Sequence, residues 1–268
     1  MPELPDVEHY KRYLDATSLH LKIAGVHIGT AKILRGVSGR KLTQALRGRC
    51  LDRTLRHGKH LFVALDDGNW LRLHFGMTGS FLYFKNLDDD PEHDRMRLDF
   101  KNGYHLAFDD QRLFGQVGLI KDPDAFIATQ GLGPDAMDAS LDQEAFLELM
   151  NERKGGIKSA LMDQSLLAGI GNLYADEILF QAKVHPDAPV GKLSLKTLRK
   201  LYATMRRVLQ VAIDRGAGSE ELANKLPRTY LLPNRKAGRP CPRCGGAIQT
   251  TKTAGRTTYY CPRCQRKP

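Results

Sequence analysis

The chain has no apolar run of membrane-spanning length, and no charged-then-apolar segment opens it. The first absence excludes a transmembrane helix. The second leads us to expect an intracellular, cytoplasmic protein. Tryptophan occurs once and cysteine five times, and four of the five cysteines fall after residue 240, as CPRC and CPRC. A secreted disulfide framework would spread its cysteines through the fold, so this distribution argues against one. Cys50 stands apart and reads as a small buried apolar residue. Acidic residues are missing from Arg235 onward, where nine Lys and Arg occur. Internal repeats and low-complexity tracts are also absent.

What is present is basic. A net charge of +11 on 268 residues favours a polyanionic partner, nucleic acid first and an anionic membrane surface second. The length suits more than one domain. Residues 5–20 read as a helix, with Val7, Tyr10, Tyr13, Leu14 and Leu19 at helical spacing, and Pro5 and Asp6 suit its first turn. From about 22 to 120 strands dominate, with one short helix near 39–47. KHLFVALDDGNWLRLHF and RMRLDFKNGYHLAF each place alternating apolar runs around an Asp-Gly or Asn-Gly turn, which is a hairpin signal. Gly131, Gly133 and Pro134 mark a linker. Beyond it the pattern is helical, most clearly from Leu195 to Ala212, with Ser194 as N-cap and Gly216 as terminator. We expect an α+β protein in three parts. These are an N-terminal antiparallel β-sandwich with flanking helices (1–130), a helical region (131–234) and a four-cysteine ribbon (235–268).

In CPRCGGAIQTTKTAGRTTYYCPRC, two C-x-x-C pairs are separated by sixteen residues. Two knuckles of this kind, carried on a hairpin, bring four thiolates to one tetrahedral metal. Cys241, Cys244, Cys261 and Cys264 are therefore assigned one Zn2+. With no ligand position open, the zinc is structural. A redox role for C-x-x-C is the alternative, and two matched pairs argue against it. The basic residues around the hairpin suit phosphate contact or entry into a groove.

IKSALMDQSLLAGIGNLYADEILFQAKVHP reads as a helix to about Leu167, a turn over Ala168–Gly171, and a second helix with Asn172 at its N-cap. Free N–H groups at such a start form an anion site, here expected to take a DNA phosphate. An ordinary helical hairpin is the competing reading.

MPELPDVE, HFGMTGSF, FDDQRLFG, LMDQSLLAGIGNLYADEILFQAKVHP and the terminal four-cysteine ribbon occur together in one order. This set closely resembles bacterial formamidopyrimidine-DNA glycosylases and their sister group, endonuclease VIII, over nearly the whole chain. The resemblance implies a β-sandwich, a helix–two-turn–helix and a zinc finger. It implies a base-excision-repair DNA glycosylase with abasic-site (AP) lyase activity, acting as a monomer on double-stranded DNA that contains a damaged base or abasic site. It also answers why the chain opens MPELP. With Met1 removed, Pro2 becomes a secondary amine with a pKa of about 8, some two units below lysine. Pro2 would attack C1′ of the damaged nucleotide, and Glu3 would serve as acid–base. Lys59 matches a hairpin lysine required by the family; without the resemblance it reads as a surface lysine on a strand edge. Met77, Arg112 and Phe114 would fill the gap left by the flipped nucleotide; taken singly, Met77 and Phe114 suit a core. His74, Lys158, Asn172 and Arg256 match phosphate-binding positions.

The chain departs from the family in two places. Asp6 stands where Glu is usual. The stretch GAGSEELANKLPRTYLLPNRKAGRP lacks the length of the loop with which 8-oxoguanine-processing members cap the flipped purine, which points to formamidopyrimidines or hydantoins instead. Leu4, where endonuclease VIII members usually carry Gly, favours the formamidopyrimidine branch. The competing functions are the same chemistry on oxidised pyrimidines, a non-catalytic zinc-ribbon DNA-binding protein, and an RNA-associated zinc-ribbon protein.

Overall fold

A computed structural model describes residues 1–151, 153–216 and 225–267. The chain forms two compact units, Met1–Pro2 with Asp6–Gln130, and Glu3–Pro5 with Gly131–Pro268.

In the first unit, helix α1 (Leu4–Thr17) is followed by β1 (Ile23–Ile28), α2 (Gly39–Leu46), β2 (Leu51–His57), β3 (His60–Leu65), β4 (Trp70–His74), β5 (Ser80–Phe84), β6 (Asp94–Phe100), β7 (His105–Asp109), β8 (Gln116–Ile120) and α3 (Pro123–Thr129). Both expected hairpins form. β3 pairs with β4 and β6 with β7, and Gly68 and Gly103 supply positive φ of 82° and 80° in their turns. The strands build two antiparallel four-stranded sheets, ordered β1-β6-β7-β5 and β2-β3-β4-β8. Alternation buries Met96, Leu98 and Phe100 of β6 with Leu61, Val63, Leu71, Leu73 and Phe108 in one core. Cys50 departs from expectation: it is only partly buried, and its N–H donates to Asp66 Oδ2 at 3.1 Å.

The second unit holds α4 (Gln143–Asn151), α5 (Ile157–Met162), α6 (Asn172–Ala182), α7 (Leu195–Asp214), and strands β9 (Gln249–Thr253) and β10 (Arg256–Tyr260). Ser194 caps α7 by accepting from Thr197 N, and the predicted apolar stripe is core. α5 ends at Met162, not near Leu167. Asp163 takes the N–H and hydroxyl of Ser165, and Gln164 Nε2 donates to the carbonyls of Met162 and Ile170 at 2.8 Å each. These local bonds turn the chain twice before α6 begins. α6 is buried almost all round, including its acidic pair Asp176 and Glu177. Among the described residues, no helix is long and apolar enough to cross a membrane.

Candidate active site and nucleic-acid interface

Pro2 is buried, and while Met1 precedes it the nitrogen is an amide, not a nucleophile. Glu3, joined to it, is 1% exposed. Its carboxylate sits on the start of α6. Oε2 accepts from Gly171 N at 2.7 Å and Tyr174 N at 3.2 Å, and Oε1 from Leu173 N at 2.8 Å. These are N–H groups that a helix start leaves unmatched, at the positive end of its dipole. The glycines of GIG serve the same docking. A Cβ on Gly171 would lie 2.5 Å from the Glu3 carboxyl, and one on Gly169, at φ 112°, would lie 2.6 Å from Leu4. Leu4 N also donates to Gly169 O at 3.0 Å. Glu3 thus supplies an anion at this helix start, on the N–H groups of Gly171, Leu173 and Tyr174. The N-cap is Gly171, and Asn172 is the first helical residue.

Asn172 is held by side-chain bonds on both sides. Its Oδ1 accepts from Lys158 Nζ at 2.7 Å, and its Nδ2 donates to Thr257 O at 3.2 Å. Lys158 is 0% exposed, and its ammonium is shared among Asn172, Thr258 Oγ1 at 2.7 Å and Asp176 Oδ1 at 2.6 Å. All three of these partners lie inside the protein, so the Lys158 ammonium is engaged by protein groups. Asp176 Oδ2 also accepts from Arg235 Nε at 2.9 Å and Tyr259 N at 3.1 Å, and the Arg235 guanidinium lies over the Tyr259 ring at 4.4 Å. One buried carboxylate thus links α5, α6 and the β9–β10 hairpin. Arg256 is exposed beside the hairpin turn, where Ala254 and Gly255 take φ of 49° and 73°.

Lys59 occupies the two-residue turn between β2 and β3, where Gly58 supplies φ 55°. It is 9% exposed. His60 follows, paired in register with His74 and 4.9 Å from it between ring centroids. Burial first, then the charges of Lys59 and Arg72, push His74 down to about 4, so the ring is neutral at physiological pH. Nδ1 accepts from Gly76 N at 3.1 Å, which leaves the ring proton on Nε2 as a donor. Beyond His74, Met77 and Phe114 are 38% and 52% exposed, and the Arg112 guanidinium lies 5.3 Å from the Phe114 ring centroid. Met77 and Phe114 are thus exposed and do not belong to the core.

The four cysteines fit zinc. Their sulfurs all lie within 4.8 Å of one another, with Cys244–Cys261 at 3.5 Å and Cys241–Cys264 at 3.9 Å. A tetrahedron with Zn–S of about 2.3 Å requires edges of about 3.8 Å, whereas a disulfide requires about 2.05 Å. Cys241, Cys244, Cys261 and Cys264 would hold one structural zinc under the ribbon, whose own apolar core is small. Sequence reasoning missed Asp110, Asp176 and Arg235. The one available signal was the acidic pair inside the apolar run of YADEILF, since buried acids need partners.

Three family models match in order: formamidopyrimidine-DNA glycosylase N-terminal domain over residues 1–117, formamidopyrimidine-DNA glycosylase H2TH domain over 132–224, and the zinc finger found in FPG and IleRS over 238–266. The formamidopyrimidine-DNA glycosylase of Pelotomaculum thermopropionicum is 33% identical over 277 residues, covering 99% of each chain. Among solved structures, the Lactococcus lactis enzyme bound non-covalently to DNA containing an AP site matches with a TM-score of 0.89 at 31% identity, over 99% of this chain and 100% of that one. The same enzyme with DNA containing FAPY-dG matches with a TM-score of 0.88 at 30% identity and the same coverage. With similarity running the full length of both chains, through sandwich, two-turn motif and zinc ribbon alike, the protein belongs to the formamidopyrimidine-DNA glycosylase family.

Proposed function

We propose that Pro2, freed by removal of Met1, is the nucleophile of a bifunctional DNA glycosylase and AP lyase that removes oxidised purines such as formamidopyrimidines. The observation that carries this reading is the fixing of Glu3, the residue joined to the nucleophile, by three backbone N–H groups at the start of α6. A carboxylate so held stays beside residue 2 and is available for acid–base work.

The chemistry is as follows. The Pro2 amine lone pair forms a bond to C1′, and the base leaves with its bonding pair. Glu3 takes the proton that the amine nitrogen sheds after bonding to C1′ and passes it to the ring oxygen as the sugar opens, giving a cationic iminium. That iminium acidifies the C2′ proton. Loss of this proton expels the 3′ phosphate, a second elimination expels the 5′ phosphate, and hydrolysis returns the amine. Lys59 binds a phosphate and assists proton transfer beside the base. His74, Asn172 and Arg256 bind phosphates, and Met77, Arg112 and Phe114 occupy the vacated stack. Lys158 acts through Asn172. Zinc supplies no chemistry and keeps the hairpin of Arg256 rigid. Residues 1–130, 131–234 and 235–268 serve as catalytic, duplex-holding and ribbon parts. Work on chromosomal DNA implies a cytoplasmic location.

The stretch from Gly216 to Pro240, short for a purine-capping loop, supports formamidopyrimidines over 8-oxoguanine; its residues 217–224 lie outside the described residues. The test is strand cleavage of matched duplexes carrying a formamidopyrimidine, 8-oxoguanine or a pre-formed abasic site. We expect products with phosphate at both ends of the gap, formed faster from formamidopyrimidine than from 8-oxoguanine. Robust 8-oxoguanine excision opposite C would remove the proposed preference. Intact strands on every substrate would remove the enzyme reading.

A further inference from the structure

The two loops that carry the proposed wedge residues are tied to one buried carboxylate. β4 leaves one sheet and enters the other as β5 through Phe75–Gly79, and β7 makes the reverse crossing to β8 through Asp110–Gly115. The flanking strands pair at His74↔Gln116 and Ser80↔Asp109, so the two crossings begin and end side by side. Asp110 is 0% exposed at their junction. Its Oδ1 accepts from Thr78 Oγ1 at 2.5 Å, and its Oδ2 from Gly115 N at 2.7 Å. Thr78 Oγ1 in turn accepts from Arg112 N at 3.0 Å. One hydroxyl therefore relays the carboxylate of the second loop back to that loop's own backbone through the first.

The backbones also touch. A Cβ on Gly76, at φ 60°, would lie 2.3 Å from the Phe114 carbonyl carbon, and one on Gly115 would lie 2.7 Å from the Phe108 ring. Asp110 itself is pinned, with its N–H donating to His93 O at 3.0 Å and its carbonyl accepting from Arg95 Nε at 2.9 Å. Leu113 adopts φ 56° and packs on the sandwich core, while its neighbours Arg112 and Phe114 are exposed. Such a backbone is strained for a residue with a Cβ and persists only where its surroundings over-determine it.

We propose that Asp110 is a positioning residue that, through Thr78, makes Met77, Arg112 and Phe114 a single rigid wedge. A loop free to move alone would enter the stack part-formed and lose the base-flipped state. Preorganisation by one buried acceptor pair avoids that ordering step at the moment of insertion. The proposal rests on the reading of these three residues as gap fillers.

The test uses the full zinc-loaded chain with Thr78→Val, Thr78→Ser and Asp110→Asn. Two rates are compared: single-turnover excision of a formamidopyrimidine from a duplex, and cleavage of an abasic site in a single strand, which has no stack to enter. 2-Aminopurine beside the lesion reports wedge insertion by fluorescence. Thr78→Val should slow duplex excision and the fluorescence step by about tenfold to hundredfold, the rate equivalent of one buried acceptor left unpaired. Single-strand cleavage should change by less than about threefold, the expectation for a step made without the wedge. Thr78→Ser, which keeps the hydroxyl, should restore both duplex readouts, and Asp110→Asn should resemble Thr78→Val. Equal losses on both substrates, or none on either, would overturn the clamp. An unmodified protein inactive on both substrates would instead overturn the glycosylase reading, and the clamp with it.

Discussion

Replacing Lys158 by Met tests whether this buried cation holds the fold or a phosphate. Lys158 and Asp176 are both 0% exposed and 2.6 Å apart, and Lys158 also bonds Asn172 and Thr258. Removing one member of a buried ion pair costs about 3–5 kcal/mol, because the remaining charge is left without compensation. Asp176 keeps Arg235 and the Tyr259 N–H, so the lower end, about 3 kcal/mol, applies here. At some 2–4 °C per kcal/mol for a unit of this size, the melting midpoint should fall by roughly 6–12 °C. Adding Asp176→Asn, which neutralises the stranded carboxylate, should recover part of that loss. Duplex binding measured against salt concentration distinguishes the two roles. A lysine on a phosphate contributes about 0.9 to the slope of log affinity against log salt. We expect weaker binding with an unaltered slope, because Asn172 loses its anchor while no phosphate loses a cation. A slope reduced by about one with an unchanged melting midpoint would instead show Lys158 on a phosphate.

Three further outcomes follow from the same geometry. His74 is neutral, so His74→Ala should weaken binding without changing the salt slope, whereas Arg256→Ala should lower the slope by about 0.9; equal slope changes would contradict the assignment. Burial pushes Glu177 up to about 7, against the pull of hydrogen bonds from Gln181 and the Leu232 N–H. A raised carboxyl pKa means the native state binds more protons between the unfolded value and about 7. This contribution is full below the unfolded pKa and is lost as pH rises through the folded one. Glu177→Gln should therefore gain on the parent by about 2–3 kcal/mol between pH 4.5 and 8 in chemical denaturation, and a difference independent of pH would count against it. Stripping zinc with a chelator should abolish duplex binding while the N-terminal sandwich keeps its melting transition, because the ribbon's small core cannot order it alone. Retained binding without metal would argue for another support.

Those features that depend on near neighbours in sequence were legible. Asp67-Gly68 and Asn102-Gly103 announced hairpins because their turns need φ above zero, and the α7 stripe and the paired C-x-x-C knuckles carry their own period. Contacts between distant segments were not legible. Gly169 and Gly171 looked like a phosphate cradle, since nothing local shows that a carboxylate 168 residues upstream of Gly171 fills it. The buried bonds of Lys158 were hidden for the same reason: its partner Asp176 lies in the next helix, and its other bonds reach Asn172 and Thr258. Asp110 is one of two adjacent aspartates, and sequence alone does not say which side chain turns inward. The end of α5 was set by Asp163 and Gln164 bonding to nearby backbone, a competition that apolar periodicity does not register.

If the amine of residue 2 does the chemistry, borohydride should trap it on the DNA. Purified protein, shown by mass spectrometry to have lost Met1, is incubated with a formamidopyrimidine duplex and reduced, and the adduct is digested and mapped. A covalent protein–DNA species with the DNA on Pro2 is expected. An adduct on Lys59 or another lysine, or no adduct although Met1 is absent and the duplex is bound, would contradict it.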